Sequence, residues 1–300
     1  MKHDKNFDPQ YGTGVEIIPG IRRLTAENPG PFTFHGTNTY LLGHQNLIVV
    51  DPGPDFPAHT DAILKATSGS KIEAILVTHT HVDHSPGARL LQQVTGAPIV
   101  GCGPHIAARP LMEGEVNPLD ASGDKDHQPN HLLKNGDTFE AAGLSLTAIA
   151  TPGHTANHLS FALSGESHLL SGDHVMAWST SIVAAPDGNM RDYMASLETL
   201  LARPEQIYLP GHGGPVLNAP DYVLDLKKHR QSRESDILQE LASGTKTIPQ
   251  IVEKLYADVD PALHTAAGLS VFAHLEDLTS CGTVTSDPSL SLTARFSVAG

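Results

Sequence analysis

The segment Thr78-His79-Thr80-His81-Val82-Asp83-His84 places three imidazoles and a carboxylate within a few positions, directly after the apolar run Ile75-Leu76-Val77. A loop leaving a strand there can turn its side chains inward around a metal ion. Neutral nitrogen and carboxylate oxygen without thiolate suit zinc, and iron or manganese fits the same donors. Three further pieces repeat the context. Thr151-Pro152-Gly153-His154-Thr155 follows the run 146–150, Ser171-Gly172-Asp173-His174 follows Leu169-Leu170, and Pro210-Gly211-His212-Gly213-Gly214 follows the run 207–209. Each time an apolar run ends, a glycine appears and then a ligand-type side chain. A solvated histidine-rich loop is the bland alternative, and this repetition argues against it. Ligands on loops held by rigid strands are how a well-placed site is built.

The elements that must carry these loops can be traced from the apolar pattern. Tyr40-Leu41-Leu42 and the run 47–50 read as a hairpin around Gly43-His44-Gln45-Asn46. Short apolar runs at 74–77, 99–100, 144–150, 159–163, 169–170 and 207–209 read as strands. Ala88, Leu91 and Val94 suggest one helix, and Met194, Leu197, Leu200 and Leu201 suggest another over 193–201. The strand-rich pattern occurs twice, which predicts a sandwich of two mixed sheets with helices outside. After Pro220 the character changes to helices over 222–242, 248–255 and 262–278. The expected division is a catalytic domain over 1–220, a helical domain over 221–285, and a Ser-rich tail over 286–300 that shows no pattern and stays unassigned.

Composition limits the function classes. A chain of 300 residues that is 39% hydrophobic and 17% charged can bury a sizeable core. Its formal charge of −14 argues against a protein that holds nucleic acid by general electrostatics. Two cysteines, Cys102 and Cys281, make no disulfide framework and suggest a reducing compartment. Cys102 reads as a packed small side chain rather than a catalytic thiol. The polar stretch 1–11 has no apolar secretion-signal core, and no apolar run is long enough to span a membrane. The expectation is a soluble, cytoplasmic protein with no membrane partner.

His-x-His-x-Asp-His, then Gly-His, Gly-Asp and Gly-His, in that order over 79–212, resembles the metallo-β-lactamase superfamily. The resemblance implies an α+β fold, the αββα sandwich. It also implies two divalent metal ions, Zn2+ first, with Mn2+ or Fe2+ as alternatives. His79, His81 and His154 would take one ion, Asp83, His84 and His212 the other, and Asp173 would bridge them. His158, four residues after His154, is the competing ligand. Asp83 and Asp173 would be the catalytic carboxylates. Two ions about 3.5–4 Å apart lower the pKa of a shared water towards about 7. That water would attack a carbonyl or phosphoryl centre, with Asp173 orienting it.

Asp173 stands where β-lactamases of this fold have Cys or Ser, so β-lactam hydrolysis is disfavoured. His81 stands where flavodiiron proteins would carry Glu. Tyr193-Met194-x-Ser196-Leu197 and His229-Arg230-x-x-Arg233-Glu234 are similar to the β-lactamase-like protein 2 group, which carries a winged-helix-like extension. The resemblance therefore implies hydrolysis of an acyl substrate (thioester, ester or lactone) or a phosphodiester, with endoribonuclease action on single-stranded RNA or mononuclear-iron persulfide dioxygenase chemistry as alternatives.

Asn38, Tyr40, His174, Trp178, Arg230 and Arg233 are candidate substrate contacts. Each also has a plain reading as a strand, packed or solvated residue. Lys227, Arg230 and Arg233 recur every three residues on the helix after His212 and would share a basic face. From Asp236 onward, Lys246, Lys254 and Arg295 face eight acids, so the C-terminal piece is a poor DNA or RNA binder. It is expected to cover the rim of the site or to form a homodimer interface.

Overall fold

A computed structural model describes residues 1–300. Its first sheet is built from β1 (Val15–Ile18), β2 (Ile21–Thr25), β3 (Asn38–Gly43), β4 (Asn46–Val50), β5 (Lys71–Val77), β6 (Ile99–Gly101) and β7 (His131–Leu132), in that spatial order. The strands β1 to β4 pair antiparallel, with two-residue connections from β1 to β2 and from β3 to β4 and a longer segment, 26–37, from β2 to β3. From β4 to β7 the pairing is parallel. The crossovers are α1 (Pro57–Ala66) between β4 and β5 and α2 (Gly87–Thr95) between β5 and β6.

The second sheet contains β8 (Thr138–Ala141), β9 (Leu144–Ala150), β10 (Leu159–Leu163), β11 (His168–Gly172) and β12 (Ile207–Pro210), ordered β12-β11-β10-β9-β8. Only β11 and β12 are parallel, and α3 (Met190–Leu201) connects them. Twenty-seven buried apolar side chains join the two sheets. They include Leu41, Val49, Ile75 and Leu76 from one sheet and Leu146, Phe161, Leu170 and Leu209 from the other. Strands β4 and β10 are buried on both faces because each side of the sandwich is covered.

Helix α2 departs from the three-residue pattern. Ala88 and Leu91 are buried, but Val94 is exposed. A step of three residues falls short of a 3.6-residue turn by about 60°, so the third position lies about 120° from the first.

The C-terminal part begins with α4 (Ala219–Ala242), which spans two cores. Val223 and Leu226 pack with Tyr193 and Leu197 of α3, whereas Ile237 and Leu241 enter a separate cluster with Ile251, Phe272 and Phe296. That cluster also takes in α5 (Ile248–Leu255) and α6 (His264–Ser280). Helix α5 starts with a capping box in which Thr247 and Gln250 satisfy each other's orphan donors.

The residues from 286 onward are structured, which corrects the expectation of an unassigned tail. A three-stranded sheet forms from β13 (Lys246–Thr247), β14 (Val284–Asp287) and β15 (Arg295–Val298), in the order β13-β15-β14. Phe296 of β15 is fully buried in the third core. No helix is long and apolar enough to cross a membrane.

Candidate metal centre

Strands β9, β11 and β12 run the same way, and their carboxyl ends meet that of β5 at one edge of the sandwich. The loops that follow them carry His79, His81, Asp83 and His84, then His154, then Asp173, then His212. Glycines let these loops converge. Gly172 has φ +48°, and a Cβ there would stand 2.5 Å from His158 Nε2. A Cβ on Gly211 would collide with the Asp173 carboxylate and the His84 ring.

The structure gathers these side chains into two triads. His81 Nδ1 lies 3.2 Å from His79 Nε2 and 2.9 Å from His154 Nε2. In the other, His84 and His212 turn their Nε2 atoms to each other at 3.3 Å, with Asp83 Oδ2 at 3.4 and 3.3 Å from them. Asp173 stands between the triads, 3.2 Å from His212, 3.5 Å from His84 and 3.7 Å from His154. The group is mostly buried, and its open side is at half-buried His81 and Asp83.

The donor set suits cations. Two donors about 2.0–2.1 Å from a tetrahedral zinc ion are about 3.3 Å apart, close to the spacings within each triad. His84, His154 and His212 each use Nδ1 outward, on Asp51, the Ile182 carbonyl and the Gly36 carbonyl, which leaves Nε2 facing the centre. Burial and neighbouring imidazoles push His79 well down and His81 to about 3, so both are neutral at pH 7. Burial also opposes charge on His84 and His212, yet Asp83 and Asp173 raise His84 well above its usual value and His212 to about 9. The two carboxylates thus demand positive charge where a divalent ion would supply it. Asp173 Oδ1 is buried and has no hydrogen-bond partner, a further ligand atom in need of a cation.

Several side chains hold the ligands without joining them. Asp51 accepts from the Thr78 amide (2.8 Å), from Thr78 Oγ1 (2.7 Å) and from His84 Nδ1 (3.0 Å). Thr37 Oγ1 donates to Asp83 Oδ2 at 3.0 Å. Neither residue follows from the ligand spacing. The signal available for Asp51 is its position between the apolar run 47–50 and Pro52-Gly53, the same strand-end context as the ligands.

His158 accepts the Asp173 amide at 3.2 Å through Nε2 and touches Thr151 Oγ1 through Nδ1, so it steadies Asp173 from behind. Asn38 is fully buried and donates to the Pro210 and Gly213 carbonyls, and Tyr40 Oη also donates to Pro210. Both therefore fix the turn that bears His212. His174 is fully buried with neither ring nitrogen bonded, packed on the Tyr193 ring at 4.5 Å. Trp178 stacks on Phe34 with centroids 4.8 Å apart and abuts Gly213 behind His212.

The expected basic face is not free. Lys227 pairs with Glu198 at 2.9 Å, Arg230 is 3% exposed and donates to the Ser181 carbonyl, and Arg233 lies over the Tyr256 ring and donates to the Leu255 carbonyl. Three-residue steps carry the charges around the helix, so each meets a different neighbour.

Residues 32–212, which hold every member of both triads, match the model of the metallo-beta-lactamase superfamily. The chain belongs to the metallo-beta-lactamase superfamily. Residues 247–293 match the beta-lactamase associated winged helix domain. The chain is 33% identical to a beta-lactamase-like protein 2 homolog of Caenorhabditis elegans, over 90% of this chain and 87% of that protein. It is 28% identical to an atrochrysone carboxyl ACP thioesterase of Aspergillus chevalieri, over 81% of this chain and 75% of that protein. A metallo-beta-lactamase family protein of Thermus thermophilus superposes with a TM-score of 0.75 at 26% identity, covering 94% of this chain and all of the other. As a member of this superfamily the chain is a metallo-hydrolase, and its His and Asp groups could hold divalent metal.

Proposed function

We propose that this metallo-hydrolase acts on an acyl substrate, with a thioester as the leading class, through a two-ion centre. His79, His81 and His154 would hold one ion, Asp83, His84 and His212 the other, and Asp173 would touch both. When bound, such a pair supplies an acidified water and Lewis acidity towards a carbonyl oxygen. The chain's own groups do the rest. Asp173 would orient the attacking water, and Asp83, held by Thr37, fixes the open side of the site. The water oxygen bonds to the carbonyl carbon, the C–S bond breaks, and the thiolate leaves to be protonated, giving an acid and a thiol.

The choice of acyl over phosphodiester rests on one observation. Lys227, Arg230 and Arg233 are all engaged within the protein, so no basic track leads a phosphate backbone to the site. A charge of −14 favours the same reading, as does a relative named as a thioesterase.

The test compares an acyl thioester, a lactone and single-stranded RNA as substrates for the zinc-loaded protein and its Asp173→Ala variant. Thioester turnover lost in the variant supports the proposal. RNA cleavage without thioester turnover overturns it in favour of a nuclease. Persulfide oxidation with a single iron per chain overturns it in favour of a dioxygenase.

A further inference from the structure

We propose that Arg230, on the first helix of the C-terminal part, is a positioning residue for the metal centre, acting on both triads through the segment Ser181-Ile182. Its guanidinium donates to the Ser181 carbonyl and lies over the Tyr193 ring, 5.1 Å from the centroid. The Ser181 hydroxyl donates to the carbonyls of Asp173 and His174, and Tyr193 Oη donates to the His174 carbonyl at 3.0 Å. The next carbonyl, that of Ile182, accepts from His154 Nδ1 at 2.7 Å. One short segment therefore sets the backbone of Asp173 and the ring of His154, and Arg230 holds that segment.

The cation is 3% exposed and its Nε has no partner. Burying a guanidinium on a carbonyl rather than a carboxylate is expensive and is no route to stability alone. Arg is suited to the place because its planar fork can stack on Tyr193 while donating to the carbonyl, which an ammonium cannot do. The C-terminal part thereby completes the centre from outside the matched region 32–212.

The inference rests on the metal centre and not on the choice of substrate, so its test needs no turnover. Zinc affinity is measured by competition with a chromophoric chelator for the parent, Arg230→Met, Arg230→Lys and Lys227→Met, with circular dichroism to verify folding. Groups that orient ligands typically change metal affinity 10–100-fold, and Arg230→Met is expected to lose about that much while remaining folded. Arg230→Lys should recover part of the loss, and Lys227→Met none of it should be seen. Folded Arg230→Met with parental affinity overturns the proposal, as does an equal loss in Lys227→Met. If Arg230→Met does not fold, Ser181→Ala removes the link to Asp173 while keeping the arginine. A loss there supports the role, and parental affinity overturns it.

Discussion

Asp51 shows how much of this site lies in residues outside the two triads. Its carboxylate accepts from a backbone amide, a hydroxyl and the His84 ring, and so fixes which His84 nitrogen faces the centre. Asp51→Asn cannot accept in the same way at both oxygens. It should weaken zinc binding about 10–100-fold, read by chelator competition. It should also cost about 1.5–3 kcal/mol of stability, read by urea unfolding. The candidate donors stand out in the sequence because three strand ends repeat one pattern of glycine followed by a donor, beside the His-x-His-x-Asp-His run after β5. Asp51 and Ser181 do not, because their partners lie as far as 33 and 49 residues away in the chain and no local spacing records such contacts. Arg230 was legible as a candidate phosphate or carboxylate clamp or as part of a solvated basic face, and the packing of α4 instead buries it on the Ser181 carbonyl.

At the scale of elements, the apolar runs marked the helices α3 to α6 and eight strands of the two sheets, but not β1, β2, β7 or β8. The final strands escaped, because β14 and β15 are four residues each and their apolar positions are few: Val284, Phe296 and Val298. What defines them is pairing with each other and with β13, a non-local property. Phe296 then enters a core shared with α4, α5 and α6. Phe296→Ala should therefore destabilise by about 3–5 kcal/mol, the usual range for truncating a buried aromatic. Denaturant unfolding measures it, and an unchanged midpoint would contradict the burial seen for β15. Helix α4 is the element that couples this unit to the sandwich, since its two halves belong to different cores.

For the whole molecule, a charge of −14 surrounds a centre in which two carboxylates and Asp51 are held close together. Bound divalent ions offset that local charge and stabilise the native state by mass action. Exhaustive chelation should thus lower the melting temperature, and added zinc should restore it. At a free zinc level about 1,000 times the dissociation constant, the stabilisation is about 4 kcal/mol per site. The same charge predicts that RNA will not be retained at physiological salt, which filter binding over a salt series would check.

Hydrolysis of an acyl thioester, followed while zinc is titrated into the metal-free protein, tests the central claim most directly. Turnover should appear fully only with the second equivalent of zinc and should be absent in Asp173→Ala at every ratio. Full turnover at one equivalent, or none by a protein that holds two, would contradict a two-ion acyl hydrolase.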